Sequence, residues 1–331
     1  MAPTLDATAL HRDALVWDMI LPYEDFGKLA LKRTALDHMT RASYNVVSLT
    51  LASNNRDLAT TVRLIARERQ FFVGKPERYQ LVDTAADIRA AKAAGKLAVC
   101  FHFQGTAPFE RSVELVGLFY QLGVRHALLA YNQKNHVGDG CHERTDGGLS
   151  QFGISLIREM NRVGMIVDGS HTGYRTTMDA FEFAEGPVIF SHSNPKALRP
   201  HARNITDDQA RACAASGGVI GVNGVSIFLP PAATLAEGMF QAIDYFVELV
   251  GWAHVGIGLD FVYDSEALIA VAARLGETFP AGQGYGADVR FADVETLPLV
   301  TELMVKYGYK EEEIKGILGA NWLRVAERVW R

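Results

Sequence analysis

Eight apolar runs recur along this chain of 331 residues, and they constrain its fold more than any other feature of the sequence. Most of the runs are near-continuous in Val, Ile, Leu and Ala, which is typical of parallel strands covered on both faces. The runs lie at residues 14–20, 44–51, 97–103, 124–131, 165–171, 188–192, 219–223 and 254–261.

Helical patterns with clear start and stop signals lie between these runs. Thr84, Ser150 and Thr206 occupy positions typical of helix N-caps, and Gln209 completes a capping-box spacing after Thr206. Gly164 follows one of the helical segments, as expected of a C-terminal glycine. Strand and helix alternating eight times predict an α/β fold, a (β/α)8 TIM barrel, with an open doubly wound sheet as the structural alternative.

The length is compatible with one barrel, so we expect residues 1–331 to form a single domain. Residues 310–331 are predicted to form two helices, separated near Gly319, that pack on the barrel and close one end of it. Four connections are predicted to be long loops that cover a site, at residues 21–43, 132–150, 225–240 and 262–295.

Composition excludes several classes of protein. The net charge of −5, without a long basic run, gives no electrostatic footprint for nucleic acid or an anionic membrane, so the expected partners are small molecules. Three cysteines at unrelated spacings argue against a disulfide framework. The first residues show no signal peptide, and no stretch of about 20 apolar residues indicates a membrane span. We therefore expect a cytoplasmic protein.

Most of the predicted strands end at a polar residue or just before one. Because the carboxyl ends of parallel barrel strands converge on one mouth, these side chains are expected to lie together. Two histidines with an aspartate in such a ring are typical of a divalent metal site with a proton acceptor, whereas each histidine alone is more simply a hydrogen-bonded loop residue. The ring comprises Asp18, Thr50, Gln104, Tyr131, Asn132, His171, His192, Asn223 and Asp260.

Three segments carry a resemblance to a known family. Residues 161–171, 187–193 and 203–208 resemble the renal (membrane) dipeptidase family of the amidohydrolase superfamily, and the match extends in the same order through residues 129–132, 148–153, 255–261 and 321–325. The resemblance implies a zinc-dependent (β/α)8 barrel that hydrolyses dipeptides, typically with two metal ions. It also implies a homodimer.

The resemblance assigns roles to individual residues. His171 and His192 match the family's metal-binding histidines, and Asp260 matches the aspartate that handles the proton. Arg203 matches the arginine that binds the substrate carboxylate, although a solvated loop residue is the alternative interpretation. Tyr131 stands where the family has a histidine that polarises the substrate, and a tyrosine hydroxyl can still donate a hydrogen bond. Asn132 and Asn223 are further candidates for substrate binding.

Other positions depart from the family pattern. Ile20 and Pro22 stand where the family has a histidine and an aspartate that bind the more buried metal. Gln104 stands in place of the bridging glutamate, and an amide oxygen is a poorer metal donor than a carboxylate. Gln104 and Asp18 therefore remain only weak candidate ligands. We expect one zinc ion or none, and not a two-zinc centre.

Two other groups of residues each have two possible interpretations. His102 is either a replacement ligand or an ordinary barrel-interior histidine. The loop at residues 132–150 holds His136, Asp139, Cys141 and His142, which are either recruited ligands or simply part of a polar loop over the mouth.

The predicted function is a dipeptidase-like, single-metal hydrolase. Its substrate is expected to be a small carboxylate-bearing amide, such as a dipeptide or an N-acyl amino acid. The alternative is a metal-free barrel of the same fold that binds a small molecule, or that performs acid/base chemistry without peptidase activity.

Overall fold

The computed structural model describes residues 5–331 and shows the parallel α/β barrel expected from the sequence. Residues 1–4, part of the segment searched for a targeting signal, lie outside the described residues. All eight predicted strands are present, together with a short additional strand, β3. The strands are β1 (Trp17–Pro22), β2 (Val46–Ser53), β3 (Tyr79–Leu81), β4 (Leu97–Gln104), β5 (Val124–Leu128), β6 (Ile166–Asp168), β7 (Val188–Ile189), β8 (Ile220–Val222) and β9 (Val255–Ile257).

The sheet curls so that its last strand lies beside its first. Strands pair in parallel in the order β1-β2-β4-β5-β6-β7, and β8 pairs with β9. Phe190 joins the two sections, because its amide donates to the Val219 carbonyl at 3.1 Å and its carbonyl accepts from Gly221 at 2.7 Å. At the seam between β9 and β1, Asp18 Oδ1 accepts the Leu259 amide at 2.8 Å. A buried carboxyl group therefore links the two edge strands.

The helices surround the strands. Thr84, Ser150 and Thr206 cap three of them as predicted, and Gly164 ends α6 in the left-handed conformation at φ 88°. The helices are α1 (Ala7–Asp13), α2 (Leu29–Arg41), α3 (Leu58–Val73), α4 (Ala85–Ala93), α5 (Glu114–Gln121), α6 (Gln151–Val163), α7 (Tyr174–Phe183), α8 (Asp207–Ser216), α9 (Leu235–Val250), α10 (Ser265–Arg274), α11 (Thr296–Lys306), α12 (Glu311–Lys315) and α13 (Asn321–Val329).

The long connections differ from their prediction at two places. Helix α2 begins at Leu29 and helix α9 at Leu235, so much of residues 21–43 and part of residues 225–240 are helical. Residues 132–150 contain no helix or strand, and residues 262–295 contain the surface helix α10. Lys32 occupies a buried position of α2, where it forms ion pairs with Asp25 and Glu68. The apolar stripe of this helix is therefore narrow in the sequence.

The C-terminal helices pack under the barrel. The Trp322 indole in α13 donates to the carbonyl of Ile257 in β9 at 3.1 Å, and Trp17 of β1 contacts Trp330 edge to face at 5.9 Å. Gly319, where the two helices were predicted to separate, lies in the π-helical turn between α12 and α13. The opposite end of the barrel is left for the polar residues that follow the strands. No helix among residues 5–331 is both long and apolar enough to cross a membrane.

Candidate functional site

The two predicted histidines meet beyond β6 and β7. The Nε2 atoms of His171 and His192 lie 3.0 Å apart. His171 Nδ1 lies 2.6 Å from Asn132 Oδ1, and His192 Nδ1 lies 2.8 Å from Ser191 Oγ. Because Asn132 Nδ2 donates to the Thr278 carbonyl at 2.9 Å, its Oδ1 must face His171. His171 Nδ1 therefore carries the proton, and its Nε2 presents a lone pair.

Both imidazoles are held in the neutral form. Burial lowers the pKa of His171 and of His192 well below the usual value, and the nearby Arg203 guanidinium lowers both further. A neutral imidazole whose second nitrogen is hydrogen-bonded is the form that binds a metal ion.

Three residues of the site have an unusual backbone conformation. Asn132, His171 and Asp260 adopt positive φ angles of 59°, 61° and 59°. Non-glycine residues rarely occupy this left-handed region, and such residues cluster at functional sites. In His171 this turn follows the end of β6 and directs the imidazole towards His192.

A polar layer inside the barrel supports the histidine pair. Asp168 Oδ1 accepts the amides of Ser170 at 2.9 Å and Ser191 at 3.1 Å, while its Oδ2 lies 3.2 Å from His126 Nδ1. Burial alone would raise the pKa of Asp168, but the hydrogen bonds from His126 and Ser191 lower it to about 2. The ionised carboxylate therefore fixes the turns that carry both histidines.

Close approach of the backbone also fixes Ser191. A Cβ atom added at Gly221 or at Gly258 would collide with the Ser191 carbonyl oxygen. Glycine at these two positions lets β8 and β9 approach the residue that precedes His192.

Asp260 is placed as a proton acceptor. Its Oδ2 accepts from Asn223 Nδ2 at 3.0 Å, and the residue lines a cavity at the mouth of the barrel together with His171. Burial raises the pKa of Asp260 to about 6, while Arg203 and the Asn223 hydrogen bond oppose this rise. The carboxylate can therefore take up a proton near neutral pH.

Tyr131 lines the same cavity and stacks on His171, with ring centroids 4.1 Å apart. Burial raises the pKa of the Tyr131 hydroxyl well above its usual value. The hydroxyl is therefore protonated and able to donate a hydrogen bond.

The two asparagines predicted to bind substrate are engaged within the chain. Asn132 bonds His171 and Thr278, as described above. Asn223 donates to Asp260, and its Oδ1 accepts the Val225 amide at 2.7 Å. In this structure both amides orient site residues, and a contact to substrate stays a prediction.

The cavity at the mouth has a volume of about 670 Å³. Its floor includes Gln104, Tyr131, His171 and Asp260. Helix α10 and the segment after it form one wall. Cavities of this size hold drug-sized ligands.

Arg203 lies beside a second, smaller cavity of about 300 Å³, and His171 is the one residue that lines both cavities among those described. Arg203 is 2% exposed; its Nη1 donates to Ser193 Oγ at 3.0 Å and its Nη2 donates to the His192 carbonyl. Lys196 lines this cavity as well. The arginine therefore contacts the histidine turn directly, while its Nε has no partner among the described residues.

The positions predicted to have lost metal ligands carry no strong metal donor. Ile20 is fully buried and Pro22 lines the large cavity. Gln104 Nε2 donates to Thr50 Oγ1 at 3.2 Å. Among residues 5–331, no group of three or more His, Cys, Asp or Glu side chains could hold a metal ion. The histidine pair supplies two facing nitrogen atoms, fewer than the three protein ligands of a typical catalytic zinc site, and this wall supplies no histidine or carboxylate that could bind a second ion.

Asp18 is poorly suited to be a ligand. Its Oδ1 accepts the amides of Leu259 and Ile20, and Oδ2 is buried without a partner among the described residues. Burial raises the pKa of Asp18 to about 8, and the nearby Asp260 adds to this shift. The carboxyl group is therefore mostly protonated at pH 7, which disfavours metal binding.

Two of the remaining candidates, His102 and Asp139, contact other groups of the chain. His102 stacks on His126 inside the barrel at 4.3 Å, and its Nε2 lies 2.8 Å from Thr50 Oγ1. In the loop at residues 132–150, Asp139 accepts the Gly147 amide at 2.6 Å. Sequence reasoning missed the roles of His126 and Asp168, because both stand within strand patterns that also fit core positions.

A family model, membrane dipeptidase (peptidase family M19), matches residues 21–272. The chain is 33% identical over 255 residues to an uncharacterized dipeptidase from Schizosaccharomyces pombe. The match covers 74% of this chain and 56% of that relative, so the chain spans little more than half of that protein's length.

Solved structures show the same fold. An amidohydrolase from Pseudomonas aeruginosa is 31% identical, with a TM-score of 0.87 over 98% of this chain and 99% of that one. A metallo peptidase from Rhodobacter sphaeroides, liganded with a phosphinate mimic of the dipeptide L-Ala-D-Ala, is 21% identical, with a TM-score of 0.77 over 96% and 100%. These findings confirm the amidohydrolase type of barrel and the resemblance found in the sequence. The chain belongs to the membrane dipeptidase family, peptidase family M19.

Proposed function

We propose that this chain is a hydrolase that cleaves an amide bond of a small, carboxylate-bearing substrate with a single zinc ion. The observation that carries the proposal is the histidine pair, whose Nε2 atoms face each other at 3.0 Å while Asn132 and Ser191 occupy both Nδ1 atoms. Dipeptidase relatives favour hydrolysis over the metal-free binding or acid/base function.

His171 and His192 would hold the ion. When bound, zinc supplies Lewis acidity that lowers the pKa of a coordinated water to about 7. Asp260 accepts the proton of the attacking water and passes it to the leaving nitrogen, since it lines the same cavity as His171 and is held there by Asn223.

Tyr131 donates a hydrogen bond to the scissile carbonyl oxygen. Its stacking on His171 holds the hydroxyl at the floor of the large cavity, and burial keeps the hydroxyl protonated. A donor fixed in this way stabilises the charge that develops on the carbonyl oxygen.

The smaller cavity receives the substrate carboxylate. Arg203 and Lys196 line it, while its acidic residues are already engaged: Glu143 accepts the Arg144 amide and Asp146 accepts the Arg175 amide. A carboxylate would replace the neutral Ser193 hydroxyl as a partner of Arg203, because charge-assisted hydrogen bonds are stronger.

We make further proposals about residue roles, domain organisation, location and assembly. Asn132 and Asn223 position His171 and Asp260. Residues 1–331 form one domain, the protein is cytoplasmic, and it assembles as a homodimer.

Metal analysis tests the proposed function. Protein purified without chelator is expected to contain one zinc ion per chain. Chelator treatment is expected to abolish amine release from a panel of dipeptides and N-acyl amino acids, and added zinc to restore it. A metal content near zero, with no gain in hydrolysis after zinc or manganese is supplied, would contradict the proposal.

A further inference from the structure

The large cavity has one predominantly apolar wall. Leu268, Ile269 and Val271 of helix α10 line it, and Phe279 and Phe291 continue the wall beyond the helix. The catalytic candidates lie at the floor. A ligand that fills this cavity can therefore contact the apolar wall and the catalytic candidates at once.

Helix α10 is itself poorly buried. None of its ten residues is buried, although its sequence is mostly Ala, Leu, Ile and Val. Leu268, Ile269 and Val271 face the cavity while partly exposed. An apolar group placed against them would remove apolar surface of both partners from water, which is favourable in proportion to the area buried.

The cavity offers little to a positively charged group. Besides Asp260, the acidic residues among its described lining are Glu24 and Asp25. Glu24 pairs with Arg56 at 2.7 Å, and Asp25 pairs with Lys32 at 2.9 Å and Arg67 at 2.7 Å. A free ammonium group would therefore leave water without gaining an unpaired carboxylate other than the proposed base.

We propose that the large cavity takes a neutral, bulky acyl group, so that the substrate is an N-acyl amino acid and not a dipeptide with a free amino group. The inference rests on the proposed function for its chemistry. Hydrolysis adds water across the acyl C–N bond, and the products are a carboxylic acid and a free amino acid.

Binding and turnover are measured separately on zinc-loaded protein. The probes are the acetyl, hexanoyl and decanoyl derivatives of alanine, with Ala-Ala as the dipeptide. Calorimetry is expected to show affinity rising about three- to fourfold per added methylene until the cavity is filled, with Ala-Ala bound more weakly than hexanoyl-alanine. Equal affinity across the acyl series, tighter binding of Ala-Ala, or no binding of any probe would overturn the inference.

Amine release distinguishes this inference from the proposed function. If the long acyl compounds bind but no amine is released, the substrate-binding inference stands and the hydrolase function fails. If Ala-Ala is cleaved with a higher kcat/KM than the long acyl compounds, the hydrolase function stands and the inference fails.

Matched variants of one helix locate the acyl group. Leu268→Asp is expected to weaken binding of decanoyl-alanine at least tenfold and to leave acetyl-alanine within about twofold. Ala270→Asp adds the same charge to the exposed side of α10, outside the cavity lining, and is expected to change neither. An equal loss in both variants, or a loss in neither, would contradict the placement.

Discussion

The two halves of the site differ in kind. Beyond β6 and β7, His171 and His192 face each other, and a second residue orients each ring. In the last residues of β1 and of β4, the corresponding positions are occupied by Ile20, Pro22 and Gln104. The half that keeps its donors keeps their hydrogen-bond partners as well, whereas the other half has lost both donors and charge. The two proposed metal positions are therefore unequal, because one side keeps two oriented histidines and the other has neither histidine nor carboxylate at the matching positions.

The largest effect is expected from removing one side of the histidine pair. His192→Ala is expected to lower zinc affinity and kcat/KM more than a hundredfold, since even an outer-shell partner is worth about 10- to 100-fold. Equilibrium dialysis and amine release measure the two quantities. His136→Ala, in the exposed part of the loop at residues 132–150, serves as control and is expected to change neither. Unchanged zinc affinity in His192→Ala would show that the pair does not hold the ion.

Asp260 should set the pH dependence. Because the ionised form of Asp260 is the base, kcat/KM is expected to fall at acid pH and to level off once the carboxyl group is ionised; burial raises the pKa of Asp260, and a bound zinc ion would oppose that rise. Asp260→Asn is expected to lower the plateau by about 10²- to 10⁴-fold and to remove the acidic limb. A pH profile recorded at saturating zinc checks this. If Asp260→Asn shows the same decrease of kcat/KM at acid pH as the wild type, another group is responsible for the titration.

The difference between the two halves can also be tested by introducing metal ligands at positions 20, 22 and 104. The triple variant Ile20→His, Pro22→Asp and Gln104→Glu restores the donor types of the family and is expected to raise the zinc content from one to two ions per chain. The control Ile20→Leu, Pro22→Ala and Gln104→Asn changes the same positions without strong donors. Elemental analysis after dialysis counts the ions. A content of one ion in both triple variants would show that more than these three side chains is missing.

The smallest effect concerns Asp18 at the barrel seam. Because burial raises its pKa to about 8, ionisation of Asp18 opposes folding, and the free energy of unfolding should fall as pH rises from about 4 towards 8. Asp18→Asn keeps an acceptor for the Leu259 amide and cannot ionise. Between pH 5.5 and 8, we expect the wild type to lose about 1–3 kcal/mol more than the variant. Urea denaturation at both pH values measures the difference, and parallel losses would contradict the assignment.

Much of the fold was predictable from the sequence, because continuous apolar runs and helix caps are local signals. The caps at Thr84, Ser150 and Thr206 are where the pattern placed them. Strand β3 was missed because three residues carry too little periodicity. The predicted strands also extended to His171 and His192, whereas the ladders end at Asp168 and Ile189, since the chain must turn to aim both rings at one point.

The site was predictable only in its reactive side chains. The positions of His171, His192 and Asp260 at strand ends predicted that they lie in one site. The sequence did not indicate that Asn132 would orient the imidazole of His171, which is 39 residues away. The role of Asp168 was equally hidden, because a polar residue inside an apolar run has no visible partner. Hydrogen bonds between distant segments depend on tertiary geometry, which a single sequence does not contain.

The left-handed backbone at Asn132, His171 and Asp260 limits the substitutions that could make this protein more heat-resistant. Glycine at any of the three positions would relieve the backbone strain, but it would also remove a side chain that hydrogen-bonds its neighbours in the site. Each replacement would also delete a side chain of the proposed catalytic site. Stabilising substitutions should therefore be sought elsewhere in the barrel.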